Sequence, residues 1–509
     1  MNLNVCCVII LFFLVTACRK DRLDGSVAEE MKLYNPPFLI PEGNPLSQGD
    51  LDKFVVRTLE SKNDFRWEWM DLKITWSALQ YNDHSLAIGY QASGVLNFQN
   101  DLKTMNIHTG SYKVVHDEIL KLIEVEQQRL YGDTVTRSYW LVEDDSVLPI
   151  ITVRTTDKIL LTKLANLRNV RYLEPLDYHP ASAVRSGSGC GGSTEPLNNT
   201  DYTTYSPSCL VPWNYSASSI PQAWNYSQGQ GITIGVIDAG ISSAQPLLGT
   251  QFNSGFSTGR LLTVAYSYGG SAYTSCVHGT SMCGLAAGPR NALTATCGVA
   301  YKANLHFIRA CDDVLLTSSG ERLGVKNALI SLANQTSVRI ISLSIGTPFS
   351  SGVLKDGVDY AYAQGKLIFA AAGTSFSWTS WSGVIYPAAY TSCVAVTGTK
   401  EDGSTCSDCH DGSAVQFTIV MERNLNSDRN TLSLPPNTYA PTYVGGSSCA
   451  TATTAGIAAL VWSVKPSMPR EHVVNSLRNT AQNFPFMDSN QGYGKVNAYA
   501  AVNYALTHY

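Results

Sequence analysis

From residue 231 onward the chain repeats one device: a short run of β-branched and apolar residues, followed by a stretch with helical spacing. The runs fall at 232–238, 305–310, 339–344, 366–371 and 393–397, with helical stretches at 278–287, 321–334 and 353–364 among them. A strand that is apolar on both faces must be covered by helices on both sides, which is the condition of a parallel sheet. Parallel neighbours are joined by right-handed crossovers, and these gather the carboxyl ends of the strands into one crevice. The pattern predicts an α/β fold, a doubly wound parallel sheet, with its chemistry at those strand ends.

Three segments carry residues suited to such a crevice. The run 231–240 ends in Asp238, a carboxylate at the mouth of a buried strand. His278 opens a helix of small residues. Gly445 and Gly446 permit a tight turn into the apolar stretch 453–464, and Ser448 falls on the first turn of that helix. Unpaired amides and the positive dipole end converge there, a favourable place for an oxygen that becomes negative. A serine nucleophile needs an imidazole to take its proton, and the imidazole needs a carboxylate to fix its tautomer.

On these residues the chain resembles the subtilases, the subtilisin-like serine proteases, whose catalytic residues follow the order Asp, His, Ser. The resemblance rests on Val236-Ile237-Asp238-Ala239-Gly240, His278-Gly279-Thr280 and Gly446-Ser447-Ser448-Cys449-Ala450. Ser342-Leu343-Ser344-Ile345-Gly346, Tyr386-Pro387-Ala388-Ala389-Tyr390 and Gly492-Tyr493-Gly494-Lys495-Val496-Asn497-Ala498 support it, and it spans 210–505. It implies an endopeptidase with Ser448 as nucleophile, His278 as general base and then acid, and Asp238 as orienting carboxylate. It also implies that Ser344, Ile345 and Gly346 pair with a polypeptide substrate as an added strand, so main-chain bonds supply affinity.

One position departs from the family. After Ala372-Gly373 the family places an asparagine whose amide donates to the oxyanion, and this chain has Thr374. Losing one such donor lowers turnover by about 10²–10³. Three outcomes are open: the threonine hydroxyl substitutes, Ser375 or a water fills in, or the enzyme is slow or inactive. The rival to a working protease is a catalytically weakened subtilase-fold protein that binds peptides at the cell surface.

The rest of the chain sets the context. A length of 509 residues calls for more than one domain. A net charge of -4 leaves no basic footprint for nucleic acid and no polybasic arm for a membrane surface. Residues 8–15 form an apolar core too short to span a bilayer, and Val15-Thr16-Ala17-Cys18 resembles a bacterial lipobox with Cys18 as the lipidated residue. The expected layout is a lipoprotein-type signal at 1–18, a tether at 19–60 and a propeptide-like α/β domain at 61–182. A Gly/Ser-rich linker containing the processing site follows at 183–208, and the catalytic domain occupies 209–509.

Within 61–182, strands are expected in 67–88, 148–153 and 170–175, and helices at 116–130 and 158–167. The last strand–helix–strand is similar to the end of subtilase propeptides. That likeness implies an intramolecular inhibitor whose tail lies in the active-site cleft. The expected location is an exported, membrane-anchored lipoprotein of the outer membrane or cell surface. Processing would release the catalytic domain unless a bridge or docking retains it, and lipid is the only membrane contact.

Thirteen cysteines suit an exported protein. Setting aside Cys6, Cys7 and Cys18 leaves ten, with Cys190–Cys209 and Cys406–Cys409 as expected bridges. Cys406-Ser407-Asp408-Cys409-His410 has the spacing of a c-type haem attachment, but it lies in a polar loop without an evident axial partner. No metal site or cofactor is identifiable from the sequence. Structural calcium is implied only by the resemblance.

Overall fold

The computed structural model describes residues 38–180, 189–375 and 383–509. The signal segment, Cys18, the first part of the tether and residues 183–188 of the linker lie outside the described residues.

The first strands, β1 (Ser85–Tyr90), β2 (Leu141–Asp144), β3 (Ile150–Arg154) and β4 (Val170–Pro175), form an antiparallel sheet in the order β2-β3-β1-β4. Helices α1 (Gln48–Lys62), α2 (Leu72–Ala78), α3 (Gly110–Tyr131) and α4 (Lys158–Ala165) accompany it. Side-chain alternation divides the sheet between two cores. Leu86, Ile88, Ile151 and Val153 pack with Ile119, Ile123, Leu160 and Leu164. Ala87, Ile150 and Tyr172 point the other way, into the core shared with residues beyond 300.

Two expectations fail here. Residues 48–60 are helical rather than a free tether, because Leu51, Val55 and Leu59 bury themselves against Phe65, Trp67 and Phe349. The segment 67–88 holds a helical turn at Trp67–Trp69 and helix α2, with only β1 extended. Its period-2 apolar spacing is overridden at Asp71, whose carboxylate accepts from the Ile74 amide at 2.9 Å and starts α2.

A hairpin, β5 (Tyr202–Tyr205) and β6 (Cys209–Pro212), leads into the main domain, so the expected linker is structured at its end. The central sheet comprises β7 (Thr233–Asp238), β8 (Leu262–Tyr266), β9 (Asn304–Arg309), β10 (Val338–Leu343), β11 (Leu367–Ala371), β12 (Val394–Lys400) and β13 (Val415–Glu422). All seven strands run parallel, in the order β13-β12-β11-β10-β7-β9-β8. The chain builds outward from β7 in both directions, so the topological switch lies between β7 and β10, where such sheets open a crevice. Helix α5 (His278–Ala287) and helix α8 (Gly446–Ser463) lie on one face, in the core with Ile234 and Phe369. Helices α6 (Ser319–Ala333) and α7 (Gly352–Ala363) cover the other, with Ile341 and Ile368. The doubly wound arrangement expected from the sequence is present.

The four-stranded sheet docks on α6 and α7. Arg171 makes a two-pronged contact with Asp356, one prong at 3.0 Å, and the Tyr172 hydroxyl donates to the same carboxylate at 3.0 Å. Lys326, fully buried, meets Asp145 and Glu143. Gly352 makes room for the Tyr172 ring, since a Cβ there would stand 2.6 Å from it. No helix among the described residues is long and apolar enough to cross a membrane.

Candidate active site

Asp238 is the last residue of β7 and is completely buried. Its Oδ1 accepts from the Ala239 amide at 2.7 Å and lies 2.7 Å from Nδ1 of His278. His278 begins α5, and that helix start reaches the strand end because Gly279 has no side chain: a Cβ there would lie 2.6 Å from the Gly240 carbonyl oxygen. Burial opposes protonation of His278. The charge and hydrogen bond of Asp238, with a further contribution from the Asp313 charge, outweigh it and hold the imidazole pKa above its ordinary value.

Ser448 stands on the first turn of α8. Every residue of that helix is buried except Gly446 and Ser448, so the buried length anchors one accessible hydroxyl. The turn depends on Gly446, whose φ of +79° suits glycine. At this position in the first turn, the Ser448 amide has no partner within the helix. The Ser448 hydroxyl donates to the Ser344 carbonyl at 3.3 Å, and the Ser344 hydroxyl returns a bond to the Ser448 carbonyl at 2.9 Å. No hydrogen bond joins Ser448 to His278. Both line one cleft of about 750 Å3 that also holds Ser344, Gly346, Val314 and Thr374.

Ser344, Ile345 and Gly346 extend β10 along this cleft. Gly346 donates to the Val314 carbonyl at 2.9 Å and accepts from the Leu316 amide at 2.9 Å, so a second extended segment flanks it. Thr374 follows Gly373, whose φ is +124°. The Thr374 hydroxyl lies 3.4 Å from that of Ser447, which itself donates to the Gly373 carbonyl at 2.8 Å. Cys406 and Cys409 are bonded to each other, and Cys409 pairs with Thr374 in an isolated antiparallel bridge. Ser375 donates to the Asp408 carbonyl at 2.8 Å, and His410 donates to the Gly373 carbonyl at 2.9 Å.

The subtilase family model matches residues 229–494, over half of the chain. The chain is a subtilase. It is 33% identical to subtilisin DY of Bacillus licheniformis over 265 residues, covering 52% of this chain and 87% of that protein. It is 30% identical to thermitase of Thermoactinomyces vulgaris over 284 residues, covering 56% of this chain and 93% of thermitase. Fervidolysin from Fervidobacterium pennivorans, described as a keratinolytic enzyme related to subtilisin, has a similar fold. It gives a TM-score of 0.58 at 18% identity, over 82% of this chain and 60% of that one. This subtilase is accordingly a serine endopeptidase of the hydrolase class, acting on polypeptides.

Two features of the subtilase's cleft depart from the sequence reading. Cys190 is bonded to Cys276, not to Cys209. The β5–β6 hairpin carries Cys209 into the core with no exposure, while Cys190 stays at the cleft. Asp313 faces His278 electrostatically and is nearly buried. Cys190, Cys276 and Asp313 also have the spacing of metal ligands, but the two sulfurs are bonded to each other. Among the described residues six further cysteines are buried free thiols, and burial pushes the Cys449 thiol pKa up, which makes it an inert core residue.

Proposed function

We propose that Asp238, His278 and Ser448 form the catalytic triad of an exported, propeptide-bearing endopeptidase. The observation that carries this reading is the 2.7 Å contact of His278 Nδ1 with Asp238 Oδ1, on the same cleft as the accessible Ser448 hydroxyl. With Nδ1 committed to the carboxylate, Nε2 is left to face the nucleophile. On substrate binding the Ser448 hydroxyl turns from the Ser344 carbonyl to Nε2, since catalytic bonds are often slack before substrate arrives.

His278 then takes the Ser448 proton as the oxygen attacks the scissile carbonyl, and Asp238 stabilises the imidazolium. The new oxyanion is held by the Ser448 amide and the Thr374 hydroxyl. The imidazolium passes its proton to the departing amine, and water, deprotonated by the same imidazole, releases the acyl group. Ser344, Ile345 and Gly346 bind the substrate backbone as an added strand. The second reading, a weakened protein that binds peptides, draws on the long Thr374–Ser447 contact.

We assign residues 61–182 to a propeptide domain that inhibits the enzyme, resting on the docking of its sheet against α6 and α7. The same reading takes Cys18 as a lipid anchor that holds the exported precursor at the membrane. A serine-directed fluorophosphonate is the test: labelling of the wild type that vanishes in Ser448→Ala supports the protease, whereas an unlabelled, folded wild type supports the peptide binder.

A further inference from the structure

Residues 189–195 belong to the segment joining the N-terminal sheet to the catalytic domain, and they line the cleft that holds His278 and Ser448. At one end the chain touches the imidazole: a Cβ on Gly189 would lie 3.2 Å from His278 Cδ2 and 2.8 Å from Val314. At the other end Glu195 accepts from the Asn426 amide at 3.2 Å, and Asn198 donates to the Tyr443 hydroxyl at 3.0 Å. The segment thus enters beside His278 and leaves past Tyr443. Its one covalent hold is the Cys190–Cys276 bridge, which fastens it two positions before His278.

We propose that this bridge is a redox latch that keeps the joining segment across the active site after the chain is cut. The proposal rests on the triad reading above. A cut after Cys190 leaves the N-terminal part attached at His278, and a cut before it leaves the new end of the catalytic domain pinned there. Either way a peptide occupies the cleft. A noncovalent tail would leave by dissociation, but a tethered one stays at an effective concentration on the order of millimolar. Release requires a dithiol. One of its thiolates attacks the Cys190 sulfur, which is the less buried of the two, and expels the Cys276 thiolate. Its second thiol then resolves the mixed disulfide, so the dithiol becomes a disulfide and Cys190 and Cys276 become thiols. Asp313, whose carboxylate lies 3.5 Å from the Cys190 sulfur, repels the incoming thiolate and makes the exchange slow.

Two measurements on the full chain test this. In the Ser448→Ala background, where no self-cleavage intervenes, adding Cys190→Ser should speed amide exchange of residues 189–195 at least tenfold. Equal exchange rates would overturn the latch whatever the enzyme does. With Ser448 present, Cys190→Ser should react with a fluorophosphonate at least tenfold faster than the oxidised wild type, with no further gain from tris(carboxyethyl)phosphine. Equal labelling rates also overturn it. Faster exchange in a chain that never labels supports the latch and removes the triad reading instead. Cys276→Ser should reproduce Cys190→Ser in both measurements, which separates loss of the bridge from damage at one position.

Discussion

Replacing Thr374 by asparagine should accelerate this enzyme. The Thr374 hydroxyl stands 3.4 Å from that of Ser447, and a Cβ on Gly446 would lie only 3.0 Å from it. Under the proposed assignment it is a short donor held close to the turn that precedes Ser448, and partly engaged with a neighbour. A well-aimed oxyanion donor is worth about 10²–10³ in kcat, or about 2.7–4 kcal/mol. If the threonine supplies about half of that, the asparagine amide adds about 1.4–2 kcal/mol, a gain of about ten- to thirtyfold in kcat. KM should hardly move, because the oxyanion exists only in the transition state. Thr374→Val keeps the shape without the hydroxyl and should lose about tenfold or more. The assay is hydrolysis of a chromogenic peptide amide by the reduced or latch-free enzyme, with thermal midpoints recorded in parallel. Unchanged or slower turnover in Thr374→Asn at an unchanged midpoint, or wild-type turnover in Thr374→Val, would refute the assignment.

Asp238→Asn should lower kcat by roughly 10⁴. Because Asp238 holds the His278 pKa up and the proposed base works unprotonated, the acid limb of the pH–rate profile should move to lower pH in any residual activity. Arg171→Ala leaves Asp356, only 2% exposed, without its cation and with the Tyr172 hydroxyl as a donor, and should cost about 3–5 kcal/mol in urea unfolding of the full chain; an unchanged midpoint would refute the pairing. Burial, outweighing the nearby Arg322 charge, pushes Glu174 from its ordinary 4.5 to about 7, so it favours folding in acid and loses that contribution as the pH rises through about 7. Glu174→Gln removes this slope and should gain about 3 kcal/mol relative to wild type between pH 4.5 and pH 8; parallel stability curves would refute it.

The core of the catalytic domain could be read in the sequence because its strands are apolar on both faces. The runs at 232–238 and 339–344 correspond to β7 and β10 within a residue at each end, and the helix at 278–287 has the predicted limits. Edge strands escaped. Three of the five residues of β8 are partly buried and the other two are exposed, so the strand lacks the continuous apolar character that marked the others. The region 67–88 was misread because apolar spacing was weighed ahead of the Asp71 cap. The motifs around Asp238, His278 and Ser448 singled these residues out as candidates but gave no sign of the engagement of Ser448 with Ser344. The Cys190–Cys276 bridge spans 86 positions and is decided by where the cleft folds, which no local pattern encodes.

Helix α8 has a consequence for how sequence change must act on this enzyme. With all but two of its residues enclosed by the sheet and its neighbours, the beam that carries Ser448 has no slack along its length. Lesions beyond its first turn should surface as misfolded, low-yield protein and those at the first turn as well-folded but idle protein. Drift in selectivity must then come from the surrounding loops, since the helix itself admits little revision.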